Sequence, residues 1–148
     1  MSMSWAKLLA ANRVAREPTS KQELDELREM AALNLQDASV KGLSARGRYE
    51  FAYNAARLLS TLVVRATGYR VVSKGAHHYY TFAALEIADK TFAKAAAYFD
   101  VARSKRNDFS YDSPIPVSDT DAQELLQSVK QFAQQAQAWI MAKHPALA

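Results

Sequence analysis

The sequence predicts an all-α fold: an antiparallel bundle of five to six helices forming a single domain over residues 1–148. Three observations predict it. Only four glycines and four prolines punctuate 148 residues. Apart from "LVV" (62–64) and "RVV" (70–72), β-branched runs are almost absent, while alanine is very frequent. Apolar residues recur at three- and four-residue spacing through most of the chain, the period of a helix with one buried face.

Taken in order, a first helix is expected from about Ser4 to Arg16, stopping before Pro18. A second opens at Ser20 as N-cap with Glu23 three residues on, a capping-box spacing. It carries Leu24, Leu27, Ala31, Leu35 and Ala38 on one stripe and breaks near Gly42. The third begins near Ser44 and is the most regular. Tyr49, Ala52, Ala56, Leu59, Val63 and Ala66 share a face, further apolar residues widen it, and Gly68 is placed to end it, so this helix is expected at the centre. Residues 69–80 read as a loop around Gly75 leading into a fourth helix over roughly 76–88. A fifth runs from Asp89 as N-cap to about Asn107, and the prolines of "SYDSPIP" end it. Ser118 and Asp121 start a last helix that turns Leu125, Val129, Phe132, Ala136 and Ile140 inward.

Composition narrows the chemistry. With 49% hydrophobic residues the chain can bury a core, and with no cysteine it has neither disulfides nor thiolate ligands or nucleophiles. No stretch reaches the roughly 20 apolar residues of a membrane span, and the amino end lacks a signal-peptide pattern, so a soluble, cytoplasmic protein without membrane partners is expected. The net charge of +4 favours anionic partners such as RNA or nucleotides. No P-loop, dinucleotide-binding, zinc-protease or hydrolase-elbow motif occurs, and no cofactor is expected. His77 and His78 are adjacent, hence about 100° apart on a helix and unsuited to one metal ion, so no metal site is expected. The segment "KGLSARGR" (41–48) reads as a solvated charge run, and His144 as a solvated residue near the end of the last helix.

The stretch "RSKRNDFSYD" (103–112) concentrates basic residues at the end of the fifth helix. At 100° per residue, Arg103 lies about 20° and Arg106 about 40° from the direction of Phe92, and Asn107 about 60°. Both arginines thus continue the inward stripe of Phe92, Ala95, Phe99 and Ala102. Two readings follow. The basic turn complements the helix dipole, with Asn107 as a C-cap. Alternatively, Arg103, Lys105, Arg106 and Asn107 form a cationic, donor-rich pocket for phosphate and ribose or base.

On Arg106, Asn107 and Tyr111, in the form Arg-Asn-x-x-x-Tyr, the chain resembles the HEPN superfamily of small helical-bundle domains; "ATGYRVVSKGAHHYYTFAAL" (66–85) is similar to a segment upstream of that motif, and the likeness covers roughly residues 45–112. The resemblance implies a homodimer that binds nucleotide or RNA; Arg103, Lys105 and Asn107 of the basic turn, with His78 reaching in from another helix, are the candidate binding residues. It also implies one member of a toxin–antitoxin pair or a partner of a nucleotidyltransferase-like protein. In its catalytic branches it implies a metal-independent endoribonuclease, with Arg106 supplying the cation for phosphorane charge and Tyr111 standing where histidine is usual. A phenol with an ordinary pKa near 10 is a poor base at neutral pH, which shifts the expectation toward binding unless His77 or His78 enters the pocket from another helix. A third possibility is a helical interaction protein in which the basic helix end is structural.

Overall fold

The computed structural model describes residues 3–110 and 116–148. Among them, six α-helices and a two-stranded ribbon form the expected helical bundle. No helix among the described residues is long and apolar enough to cross a membrane.

The amino end departs most from the expectation. Helix α1 (Trp5–Ala10) is capped by Ser4 but stops six residues early. Asn12 takes a left-handed conformation (φ 56°), which asparagine tolerates better than most residues, and turns the chain back. Strand β1 (Val14–Arg16) then pairs antiparallel with β2 (Tyr69–Val71), which occupies the start of the expected loop, with Ala15 opposite Arg70. Burial explains the switch. Val14 joins Leu8, Val64 and Ala84 in a small second core, and a continued helix would have carried it away.

Helix α2 (Lys21–Asp37) starts at Ser20, whose hydroxyl accepts from the Glu23 amide. The Glu23 carboxylate does not complete the expected capping box; it binds Thr19, Arg65 and Arg70 instead. Gly42 at φ 89° permits the turn into α3 (Ala45–Ala66). All six residues of the predicted α3 stripe are buried, and α3 packs on α2, α4, α5 and α6. Helix α4 spans His77–Ala88. A 3₁₀ turn (Lys90–Phe92) capped by Asp89 precedes α5 (Ala93–Ser110). Helix α6 (Asp119–Lys143) begins with a complete capping box between Ser118 and Asp121.

The directions of the long helices follow from their contacts. Glu23 near the start of α2 meets Arg65 at the end of α3, so these two run antiparallel. Arg48 pairs with Asp119, joining the starts of α3 and α6, which lie side by side in the same sense. Phe82, Phe92, Phe99 and Phe132 pack edge-on or tilted between α4, α5 and α6, with ring centroids 5.1 to 5.8 Å apart. This aromatic layer holds α5 against α4, and that placement builds the site.

Candidate anion-binding site

Three helices contribute one polar cluster beside the apolar core. From α3 come Glu50, Tyr53 and Arg57, three and four residues apart and therefore on one face. Tyr53 is fully buried, and its hydroxyl shares a 2.9 Å hydrogen bond with Nδ1 of His78, the second residue of α4. Phe82, one turn further along α4, stacks edge-on against the Tyr53 ring at 6.0 Å and fixes its plane.

Helix α5 brings Arg103 and Arg106 to this pair. Arg106 Nε donates to Glu50 Oε2 at 2.9 Å, and its guanidinium lies 5.2 Å from the Tyr53 ring centroid. Arg103 Nε donates to Asp100 Oδ1 at 2.8 Å, and its guanidinium lies 5.5 Å from the Tyr79 ring. The two side chains are 25% and 28% exposed, so they lean inward along aromatic faces and still reach solvent. Arg57 completes the group. Its Nε is buried and has no hydrogen-bond partner among the described residues.

Among the described residues, the three guanidiniums outnumber the two carboxylates that Arg103 and Arg106 bind. Burial lowers the pKa of His78 to about 4, and the charges of Arg57, Arg106, His77 and Arg103 push the same way, so its imidazole is neutral at pH 7. Burial raises Tyr53 to about 12 against the opposing pull of Arg106, Arg103 and Arg57, so its phenol keeps its proton. Burial also lowers Arg57 from its ordinary value; Tyr53 counters this and Arg106 adds to it. Three guanidiniums, a phenol and a neutral imidazole around a half-open surface can accept one more negative charge. Guanidiniums bind the oxygens of phosphate or carboxylate in bidentate fashion.

Of the residues singled out from sequence, the fold brings together Arg103, Arg106 and His78. Lys105 is exposed, and its positive charge reaches Asp121 at the start of α6 rather than the cluster. Asn107 is half-buried within α5 and is not its C-cap, because the helix runs on to Ser110. Tyr111 lies outside the described residues. His77 is exposed with Nε2 3.3 Å from the Val71 carbonyl, its ring 6.3 Å from His78. No group of three or more His, Cys, Asp or Glu among the described residues is placed to hold a metal ion. Arg48 is not part of a solvated run: it braces α3 against Asp119 and the Leu43 carbonyl. His144 packs on Trp139, ring centroids 5.2 Å apart.

Sequence reasoning missed Glu50, Arg57 and Asp100 as site residues, and it read the aromatics of "YEFAY" (49–53), Tyr53 among them, as core rather than as groups that stack bases. A signal for Arg57 was present, since it is the one charged residue between Phe51 and Val64. A lone arginine inside an apolar stretch must find a buried role or a ligand.

No protein-family model, curated protein or solved structure matches this chain.

Proposed function

We propose that this protein is an HEPN-like module that binds the phosphate of a nucleotide or RNA at Arg57, Arg103 and Arg106. The observation that carries the reading is the buried Nε of Arg57, without a partner among the described residues, beside two further arginines and a neutral histidine. A buried donor left without an acceptor costs roughly 1–3 kcal/mol, and an incoming phosphate oxygen removes that cost. The mildly basic chain, at net +4, is consistent with a polyanionic ligand. A homodimer, or pairing with a nucleotidyltransferase-like partner as in toxin–antitoxin systems, belongs to the same proposal through the Arg106, Asn107 and Tyr111 motif.

The test is direct. A labelled single-stranded RNA and a labelled nucleotide are titrated with the protein at low and high salt, followed by anisotropy. Saturable binding that weakens with salt and falls on Arg106→Ala supports the reading. An unchanged isotherm for that variant sinks it.

A second reading, endoribonuclease, is favoured by one observation: His78 stands beside Arg106, where a base and a cation would act on the same phosphodiester. A pKa of about 4 makes His78 a weak base, which is why binding comes first. RNA left intact by concentrated protein in EDTA removes the nuclease reading; cleavage lost in both Arg106→Ala and His78→Gln establishes it.

A further inference from the structure

Beside the arginine cluster lies a cleft of about 720 Å³ that the phosphate reading leaves unused. Its walls come from the amino-terminal segment, α4 and α5: Trp5, Tyr79, Phe82 and Ile87 supply aromatic and aliphatic surface, and Asp100 closes one end. Two of these residues belong to both places. Asp100 lines the cleft and holds Arg103 Nε at 2.8 Å; Tyr79 lines the cleft and carries the Arg103 guanidinium 5.5 Å from its ring. Cleft and cluster therefore adjoin through Tyr79 and Asp100, with aromatic walls on one side and Arg103 on the other.

We infer that the cleft is a nucleobase subsite and that the ligand is a mononucleotide, its base among Trp5, Tyr79 and Phe82 and its phosphate on Arg103 and the neighbouring arginines. This rests on reading the cluster as a phosphate site. The volume falls in the range that encloses a small molecule. Aromatic walls suit a flat ring, which gains roughly 1–3 kcal/mol by stacking in comparable sites. The polar groups favour a base over an acyl chain. Glu86 and Asp100 line the cleft with carboxylates, groups that accept from exocyclic amines and ring N–H groups, and Lys90 lines it with an ammonium, which donates to a ring carbonyl or nitrogen. A hydrocarbon tail would cover Glu86, Lys90 and the Asp100–Arg103 pair without giving any of them a new partner. Trp5 is stacked on Tyr69 at 4.0 Å with the rings 6° from parallel, so its plane is set before a ligand arrives whenever the arm is docked.

The chain's two tryptophans, Trp5 and Trp139, make the test optical. In a Trp139→Phe background, the emission that remains is that of Trp5. AMP, GMP, ribose 5-phosphate and a single-stranded RNA hexamer are titrated in turn. The inference expects AMP or GMP to quench Trp5 and to bind at least tenfold tighter than ribose 5-phosphate. It also expects Ala83→Phe, which fills the cleft, to remove that advantage while ribose 5-phosphate still binds. Ala97→Trp, at an exposed position on the rim and read by anisotropy of a labelled nucleotide, repeats the test without touching the packed wall. Nucleotides binding no tighter than ribose 5-phosphate overturn the inference and leave the phosphate site standing. So does an RNA hexamer that binds through Arg106 while mononucleotides leave Trp5 unchanged. Failure of every probe overturns the phosphate site and this inference together.

Discussion

Two arginine clusters hang from the same helix and behave as opposites. Arg57 and Arg65 lie eight residues, about 12 Å, apart on α3. Arg65 is 1% exposed and saturated: Nε donates to Glu23 at 2.7 Å, Nη1 to the Glu17 and Tyr69 carbonyls, and Nη2 to the Pro18 carbonyl. Arg70 binds the same two glutamates. Two cations thus meet two anions. Partial burial pushes Glu23 up, but Thr19, Arg65 and Arg70 outweigh it and hold its carboxyl below the usual range. At the other cluster, three arginines meet Glu50 and Asp100 among the described residues, and Arg57 Nε has no partner there. The difference teaches which buried charge is mortar and which is a site. A knot whose donors are all used stabilises the fold, and one that retains positive charge and an idle donor is prepared for a ligand.

The comparison can be broken in several ways, the largest effect first. Arg65→Ala strands Glu23 and several carbonyls and is expected to cost about 3–5 kcal/mol, read as a lowered urea midpoint. If it costs no more than the loss of an exposed pair, the Arg65 knot is not structural. Arg106→Ala is expected to weaken ligand binding about 10- to 100-fold while changing stability by about 1 kcal/mol or less, since its ion pair with Glu50 is partly solvated. A large stability loss with intact binding would reverse the assignment of the two clusters.

A pH experiment sharpens the contrast. His78 is neutral in the folded protein down to about pH 4, whereas an unfolded histidine protonates near 6.5. As pH falls between these values the unfolded state binds the extra proton, so stability drops with acid across that window, by on the order of 2 kcal/mol after solvent screening. His78→Gln should flatten that slope in urea titrations between pH 7 and 4.5. Glu23 acts lower, its stabilisation fading as pH falls below the ordinary carboxylate range. The smallest effect expected is the sharpest test. Arg57→Met removes the idle donor and should leave stability unchanged or raise it by about 1 kcal/mol, while nucleotide binding falls.

The bundle was legible because its information is local and periodic. The α3 stripe from Tyr49 to Ala66, the Ser118–Asp121 cap and the Gly42 and Gly68 breaks need no tertiary knowledge. The β1–β2 ribbon was not legible, because pairing Val14 with Val71 depends on a fold that brings residues far apart in sequence together. The site was half legible. Angular position on α5 turned Arg103 and Arg106 inward, and the structure finds them against aromatic rings, Arg103 over the partly buried Tyr79 and Arg106 over the buried Tyr53. Tyr53, Glu50 and Asp100 escaped because each sits at a position that reads as ordinary core or ordinary helix surface, and only the crossing of α3, α4 and α5 makes them neighbours. Glu23 misled for a related reason. Its cap spacing was correct, but two guanidiniums, the buried one of Arg65 and the exposed one of Arg70, compete for its carboxylate and win.

The ribbon also carries a kinetic consequence. Residues 3–16 attach to the bundle through the pairing of Val14–Arg16 with Tyr69–Val71 and the small core around Leu8, and both contacts close a chain loop of more than fifty residues. Such long-range closure is expected to come after the α2–α3 hairpin in folding and to reopen first in the native state. Amide exchange at Glu17, whose N–H donates to the Gly68 carbonyl, and at Ala15, in the same hydrogen-bonded register, should therefore proceed faster than in α3 and report how often the arm lifts. Because Trp5 rides on that arm, the same opening sets how often one wall of the cleft swings away, and a ligand resting against Trp5 would slow exchange in a strand it never touches.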